Sequence, residues 1–592
     1  MDNANKIYGI DLGTTNSCIS VLRDGKPHTI PVDGNGIVPS VVSLDGENLL
    51  VGRKARNRAV AFPEQSVRSV KRLMGATEKL TLGKKTYDPE DVSAMILRYL
   101  CDEARRIEGC DVERAVVTVP AYFSDAQRRS TMEAGRRAGL TVERIVNEPT
   151  AAALFYDHIH ASLDSASPDP AASETKPGKS AEQYALVYDL GGGTFDVSVL
   201  RMGDIIEVLS STGDTHLGGD DFDDRVVTRI LQQIREKNGL DLEGCVPALA
   251  RLGSVAESAR ITLSDKASVR INEAHIPAPH NKSCSVSMEL SREELEEMTE
   301  DLVDRTIASV EKAMEEARLT PDRIDRVLLV GGMTRMPVIA ARLEAIFGTA
   351  RMPVVDPDLS VANGAAIQGG IISGENCEQI LVDVTPHTLG LKTLSARRDR
   401  MYDCVPIIPR NTQIPVTRAR TFFTIVRHQE LVRLEVYQGE SIEPNENVLI
   451  GETDLTLAEA EAHCPVAVEY SYDLNGIVHL VAEQKGYSRR TEVRIDSRNP
   501  ELFRSQNLED IEEDDEDADE EIEALEENSR AINFVTQRAR DLIGEMADGE
   551  RKKSLSEALA RYEKALKDDD DAVDEIEDEL LTLMEENDDA EE

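Results

Sequence analysis

Four acidic residues, one lysine and two glycine-rich turns hold most of the chemistry this chain could do. Residues 7–22 read IYGIDLGTTNSCISVL and residues 186–200 read LVYDLGGGTFDVSVL. Each is an apolar strand ending in Asp-Leu-Gly, a tight turn of Gly and Thr, and a second apolar strand. Glycine lets the backbone approach phosphate oxygens, and threonine hydroxyls add donors. The turns are Gly13-Thr14-Thr15, continued by Asn16, and Gly191-Gly192-Gly193-Thr194. Asp11 and Asp189 would point at the cation such phosphates carry, and Asp196 adds a third acid two residues past Thr194. A single turn of this kind is often only a hairpin. Two copies in near-identical strands predict two related half-domains facing each other across a cleft, with a nucleotide between them.

Between the hairpins lies ERIVNEPTAAALFYDH, residues 143–158. Pro149 suits a first helical turn, so Glu148 sits at a helix start, where its carboxylate could hold metal-bound water beside the three aspartates. Lys71, in SVKRLMG, is a candidate point charge for a β- or γ-phosphate. The strand end VLLVGGMTRMP, 327–337, reads as a base-binding corner where Arg335 would stack on adenine. Glu257, Arg260 and Ser264 have helical spacing and would share one face, a spacing that an ordinary amphipathic helix also shows. No Ser-His-Asp set, HExxH or Walker-type GxxxxGK[ST] is present.

These residues need elements to position them. A chain of 592 residues is too long for one core. Residues 1–376 alternate strand runs (112–120, 326–332) with helical patterns such as 91–107, which is α/β layering. Residues 161–183, rich in Pro, Ser and Ala, read as a flexible surface insertion. The stretch 377–386, CEQILVDVTP, places the short apolar run Ile380-Leu381-Val382 at a domain boundary. From 387 to 499 alternating runs indicate short antiparallel strands, with Asn475-Gly476 as a hairpin turn. Residues 500–592 are acidic and helical in pattern, suggesting two or three packed helices.

The net charge of −44 argues against non-specific binding to nucleic acid or anionic lipid. The absence of Trp fits poorly with stacking on single strands. No apolar stretch reaches membrane-span length, and the N-terminus lacks the pattern of a signal peptide. Eight scattered cysteines without a CxxC pair read as reduced thiols of a cytosolic protein.

Six stretches in order, IYGIDLGTTNSCISVL, VTVPAYFSDAQRR, RIVNEPTAAA, YDLGGGTFDVSVL, GDTHLGGDDFD and VLLVGGMTRMP, resemble the signatures of the DnaK-type, seventy-kilodalton heat-shock chaperones. The likeness covers about residues 1–500 and is much weaker in the helical tail. The short tail and details such as PAYFSDAQR look closest to the short-lidded bacterial HscC-like branch. The resemblance implies an actin-like (ribonuclease H-like) α/β ATPase domain over 1–376 and an interdomain linker over 377–386. A β-sandwich binding extended apolar peptide would follow over 387–499, then an acidic helical lid over 500–592. By it, Gly13, Thr14, Thr15, Asn16, Lys71, Gly192, Gly193 and Thr194 would contact ATP or ADP phosphates. Asp11, Glu148, Asp189 and Asp196 would arrange Mg2+ and water, with K+ a further candidate ion. Glu257, Arg260, Ser264, Gly332 and Arg335 would bind adenosine. Leu391, Phe422, Val432 and Leu434 match peptide-pocket positions, with Leu394 and Ile425 forming the arch over the peptide. Pro120 and Arg128 match an inter-lobe relay, and Arg144 and Asp383 a coupling surface.

The chain departs from the pattern in places. Arg260 and Met333 stand where the family commonly has Lys and Ser, the linker is less leucine-rich, and Ile425 replaces a residue that is often small. Asn16 and the tail LMEENDDAEE both favour a bacterial type. The resulting expectation is a monomeric, cytoplasmic, ATP-driven chaperone of the stress response. Unfolded polypeptides and a J-domain co-chaperone would be its partners, with a nucleotide exchange factor as a further one. Two rivals stand beside it: a sugar or acetate kinase, which has no need of anything after residue 376, and a non-hydrolysing scaffold or exchange factor.

Overall fold

A computed structural model describes residues 6–165, 182–203, 205–279, 282–353, 356–375, 380–395, 400–487, 489–494, 552–556 and 558–561. The two near-repeats form two similar sheets. In the first, strands Tyr8–Leu12, Asn16–Arg23 and Lys26–Thr29 make an antiparallel meander. Arg114–Val119 runs parallel to Tyr8–Leu12, and Thr141–Asn147 lies beyond it. In the second, Gln183–Leu190, Phe195–Met202 and Ile205–Asp214 make the same meander, with Arg326–Val330 parallel to its first strand. The repeated sequence thus carries repeated topology.

These strands are apolar on both faces because helices cover both sides. Along Gln183–Leu190 the alternation divides one strand between two cores. Leu186, Tyr188 and Leu190 pack with Phe222 and Leu252, while Ala185 and Val187 pack with Leu154 and Ile367. The helix Ser360–Ser373, almost wholly small residues at its centre, packs on Tyr8–Leu12 and on helix Glu148–Ser165. The approach is backbone to backbone, since a Cβ on Gly364 would lie 1.8 Å from the Ala151 carbonyl oxygen.

The apolar run at the expected domain boundary is itself a strand. Ile380–Val384 adds parallel to Ile205–Asp214, with Leu381 opposite Ile206, and Gln413–Ile414 pairs on its other side. An open sheet edge offers a row of unpaired N–H and C=O groups, and this segment takes them up. Two four-stranded antiparallel sheets follow. One orders Tyr402–Ile408, Leu389–Leu394, Leu431–Gln438 and Val448–Thr456. The other orders Val416–Phe423, Pro465–Tyr472, Val478–Gln484 and Arg489–Arg494. Leu434 and Val436 of one pack with Val468, Tyr470 and Leu480 of the other in a common core. The Asn475-Gly476 turn forms as expected, Gly476 N–H bonding to the Asp473 carbonyl.

Of the expected insertion 161–183, residues 166–181 lie outside the described residues. At its edges the helix runs on to Ser165 and the next strand begins at Gln183. The expected helices of 500–592 also fall outside, except for 552–556 and 558–561, which are helical. Among the described residues no helix is long and apolar enough to cross a membrane. The seven described cysteines are free.

Candidate functional site

The two glycine turns meet. A Cβ built on Gly192 would lie 1.8 Å from Thr15 Oγ1, and one on Gly193 would lie 2.7 Å from Thr14 Cγ2. Only glycine permits that approach between hairpins whose glycines stand nearly 180 residues apart. Each turn is held from behind. Ser40 Oγ donates to the Gly13 carbonyl at 2.7 Å. Gly191 N–H bonds to the Thr194 carbonyl at 3.0 Å, and Asp220 N–H to the Gly192 carbonyl at 2.7 Å.

Buried charge collects where the turns converge. Lys71, in the one-turn helix Val70–Leu73, donates from Nζ to Glu148 Oε1, and both groups are buried. Glu148 opens its helix with Pro149 in the first turn, as expected. Asp11 accepts a hydrogen bond from Thr118 Oγ1 at 3.1 Å, and Asp196 accepts one from Tyr122 N–H at 3.0 Å. Asp189 and Asp196 stand directly opposite each other in their hairpin.

Burial and then the negative charge of Glu148 push the Asp11 carboxyl up to about 7, against the pull of Lys71 and the Thr118 hydroxyl. The same two causes raise Asp196 to about 7, and Asp189 is held well above the ordinary carboxylate range. Burial works to lower the Lys71 ammonium, but the charges of Glu148, Asp11 and Asp189 outweigh it and its pKa is raised. So much buried acid with one ammonium calls for a further cation. All-oxygen donors suit a hard ion such as Mg2+. Among the described residues no three His, Cys, Asp or Glu side chains are grouped to ligate a metal directly.

Of the residues expected at the base corner, Arg260 is brought to the turn Gly332–Arg335, and the charged ones are already partnered. Glu257, Arg260 and Ser264 lie on helix Val246–Asp265. Arg260 makes a two-pronged pair with Asp223, at 2.7 and 3.1 Å, and its Nη1 lies 2.7 Å from Met333 Sδ, which brings the helix to the turn Gly332–Arg335. Glu257 is paired by Arg56 and Arg68 at 2.8 and 3.1 Å. The half-exposed Arg335 is paired with Asp358 at 2.6 Å. Ser264 Oγ donates to the Arg260 carbonyl at 3.4 Å.

The expected relay residues lie where the α/β part meets the sandwich. Arg128, buried, donates to Asn147 Oδ1 at 2.7 Å and to the Ala121 carbonyl at 3.0 Å. Pro120 is buried beside it and accepts from Phe123 N–H. Asn147 and Thr150 donate to Asp383 at 2.8 and 3.2 Å. Arg144 is half-buried, and its Nε has no hydrogen-bond partner among the described residues. From the sandwich, Asn475 Oδ1 accepts from Ile145 N–H at 3.0 Å, and the Val478 backbone is held by Asp125 and Arg129. His387 packs edge-on to Tyr122, with Nε2 3.2 Å from the Tyr122 carbonyl oxygen.

Of the peptide-groove candidates, Leu391 and Leu434 are buried in the sandwich core, while Phe422, Val432, Leu394 and Ile425 are half-buried. Phe422 belongs to the opposite sheet from Leu391, Leu394, Val432 and Leu434, so the six do not share one strand face. Asp220 and Asp223 lie inside the signature GDTHLGGDDFD, and Thr118 and Tyr122 inside VTVPAYFSDAQRR, but neither signature assigns them a role, and His387 lies outside both. The acidic run after Gly218-Gly219 was the one local signal that could have pointed to the first two.

Paired turns on matched meanders, with buried acids and a lysine between them, define a phosphate-handling α/β protein with an appended antiparallel sandwich. A family model described as Hsp70 protein matches residues 7–81 and 76–591, and the chain belongs to that family. Membership carries a chaperone role and ATPase activity in general, with ATP or ADP and Mg2+ as the nucleotide and ion. Unfolded polypeptides and J-domain co-chaperones are the family's general partners.

Proposed function

We propose that this chain hydrolyses ATP between its two glycine turns and uses the hydrolysis to control release of extended apolar peptide from the sandwich. The observation that carries the reading is the contact of Gly192 with Thr15, which brings the two repeats together over Lys71, Glu148, Asp11, Asp189 and Asp196. Phosphoryl transfer to water needs positioning and charge stabilisation more than covalent help. Backbone N–H groups and the hydroxyls of Thr14, Thr15 and Thr194 would orient the phosphates. Lys71 would stabilise the transferring group. Asp11, Asp189 and Asp196 would share the task of accepting the proton of the attacking water. Magnesium, when bound, would neutralise phosphate charge, its waters held by these three aspartates and Glu148.

The domain limits in this reading are 1–376, 377–386, 387–499 and 500–592. Coupling between them would be reciprocal, so peptide and a J-domain partner should bias the ATPase. The HscC-like assignment, a bacterial cytoplasmic setting, a stress-response role, an exchange factor and K+ belong to the same proposal. Its test is the dissociation rate of an apolar heptapeptide with ATP and with ADP. A large acceleration by ATP supports the reading, and equal rates overturn it.

A further inference from the structure

The residue before the turn that carries Lys71 has an unusual backbone. Ser69 has φ 52° and ψ 31°, the left-handed region that non-glycine residues enter only when their surroundings compel them. Its carbonyl accepts from Arg72 N–H at 3.1 Å and so starts the turn Val70–Leu73. The dihedral angles of Ser69 therefore set the direction in which Lys71, two residues on, enters the site.

What holds Ser69 there comes from the other sheet. Its Oγ donates to Asp220 Oδ2 at 2.6 Å. Asp220 is not a free surface acid, because its own N–H is bonded to the Gly192 carbonyl and the preceding Gly219 N–H to the Gly191 carbonyl. One hydroxyl thus ties the lysine turn of the first repeat to the glycine turn of the second. Arg72 runs alongside. Its Cδ would be 2.8 Å from a Cβ on Gly193, and its Nη2 reaches Asp221 Oδ1 at 3.2 Å and the His216 carbonyl at 3.3 Å. Asp220 is half-buried, and that burial raises its carboxyl.

We propose that Ser69 is a positioning residue for ATP hydrolysis: the Ser69–Asp220 hydrogen bond locks the Lys71 turn against the second glycine turn and thereby places the Lys71 ammonium for phosphoryl transfer. This rests on the ATPase reading above. Ground-state nucleotide binding rests on other groups, so the tie acts on the chemical step and leaves affinity alone.

The test is single-turnover ATP hydrolysis and ATP affinity on the full chain, for wild type, Ser69→Ala, Ser69→Gly, Asp220→Ala, Asp220→Asn and the double variant Ser69→Ala/Asp220→Ala. Ser69→Ala and Asp220→Ala should each slow hydrolysis about tenfold with affinity within about twofold, a loss of orientation alone. Asp220→Asn keeps an accepting oxygen and should retain most of the rate. The double variant should be no slower than either single. Ser69→Gly, which adopts the left-handed backbone without strain, should stay slow if the hydroxyl is what positions Lys71. Recovery in Ser69→Gly, a wild-type rate in Ser69→Ala, or multiplying losses in the double variant each overturn the proposal while the ATPase reading stands. A wild-type chain with no turnover overturns both.

Discussion

The two glycine hairpins share a sequence pattern and a topology, yet they differ in tolerance and in wiring. Gly13 and Gly191 hold equivalent places after Asp-Leu. A Cβ on Gly13 would strike the Asn16 carbonyl oxygen at 2.1 Å, while one on Gly191 finds only ordinary contacts at 3.6 and 3.9 Å. The first hairpin's acid, Asp11, is steadied from within its own sheet by Thr118. The second hairpin's Asp196 is held by Tyr122 N–H, and the Tyr122 carbonyl meets His387 at the head of the sandwich. Repetition has copied the shape of the glycine turn but not its connections. One corner is an anchor, and the other is joined to the part that would hold peptide.

Lys71 lies between both corners, so its loss should have the largest effect. Lys71→Ala should lower single-turnover ATP hydrolysis by about 100-fold or more, with ATP binding largely kept, because in the proposed reaction the ammonium would act chiefly on the transferring group. A wild-type single-turnover rate would refute its role. Next in size, Gly13→Ala should cost about 3 kcal/mol in urea unfolding, since the new methyl meets backbone that cannot step aside. Gly191→Ala should stay within about 1 kcal/mol of wild type. Equal costs would erase the distinction between the corners.

A third effect concerns the wiring. Burial beside Tyr122 depresses the His387 imidazole to about 4, with Glu440, Arg410 and Arg128 the charged groups facing it. A histidine whose folded pKa lies below its unfolded value gives stability that is complete above about 6.5 and lost as pH falls towards 4. The loss is at most ~3 kcal/mol at the acid end. Asp11 and Asp196, raised to about 7, titrate across the same window with the opposite sign. The measurement is therefore the difference in stability between wild type and His387→Leu, which should narrow from pH 7 to pH 4.5. A constant difference would show that His387 does not link the second corner to the sandwich by its neutral form.

The sequence was readable where function requires unusual local composition. Two glycine turns with flanking aspartates, Glu148 before Pro149, and Asn475-Gly476 all declare themselves within a few residues, because each needs a particular backbone or cap. What stayed hidden are pairings between distant segments. Ser69 and Asp220 are 151 residues apart and Tyr122 and His387 are 265 apart, and nothing local to any of the four names its partner. The segment Ile380–Val384 read as an apolar boundary, since an edge strand that completes a sheet looks the same as a short connector until its neighbour is known. Arg260 read as a ligand group, and its pairing with Asp223 is equally invisible to helical spacing.

The glycine-and-alanine helix 360–373 has a mechanical consequence. Its contacts with the first sheet and with helix Glu148–Ser165 include close main-chain approaches, at Gly9 against Ala366 and at Gly364 against Ala151. At those two points no side chain stands between the elements to take up play, so a tilt of one would press directly on the backbone of the other. A single methyl at position 364 would act as a shim, wedging the joint at one angle.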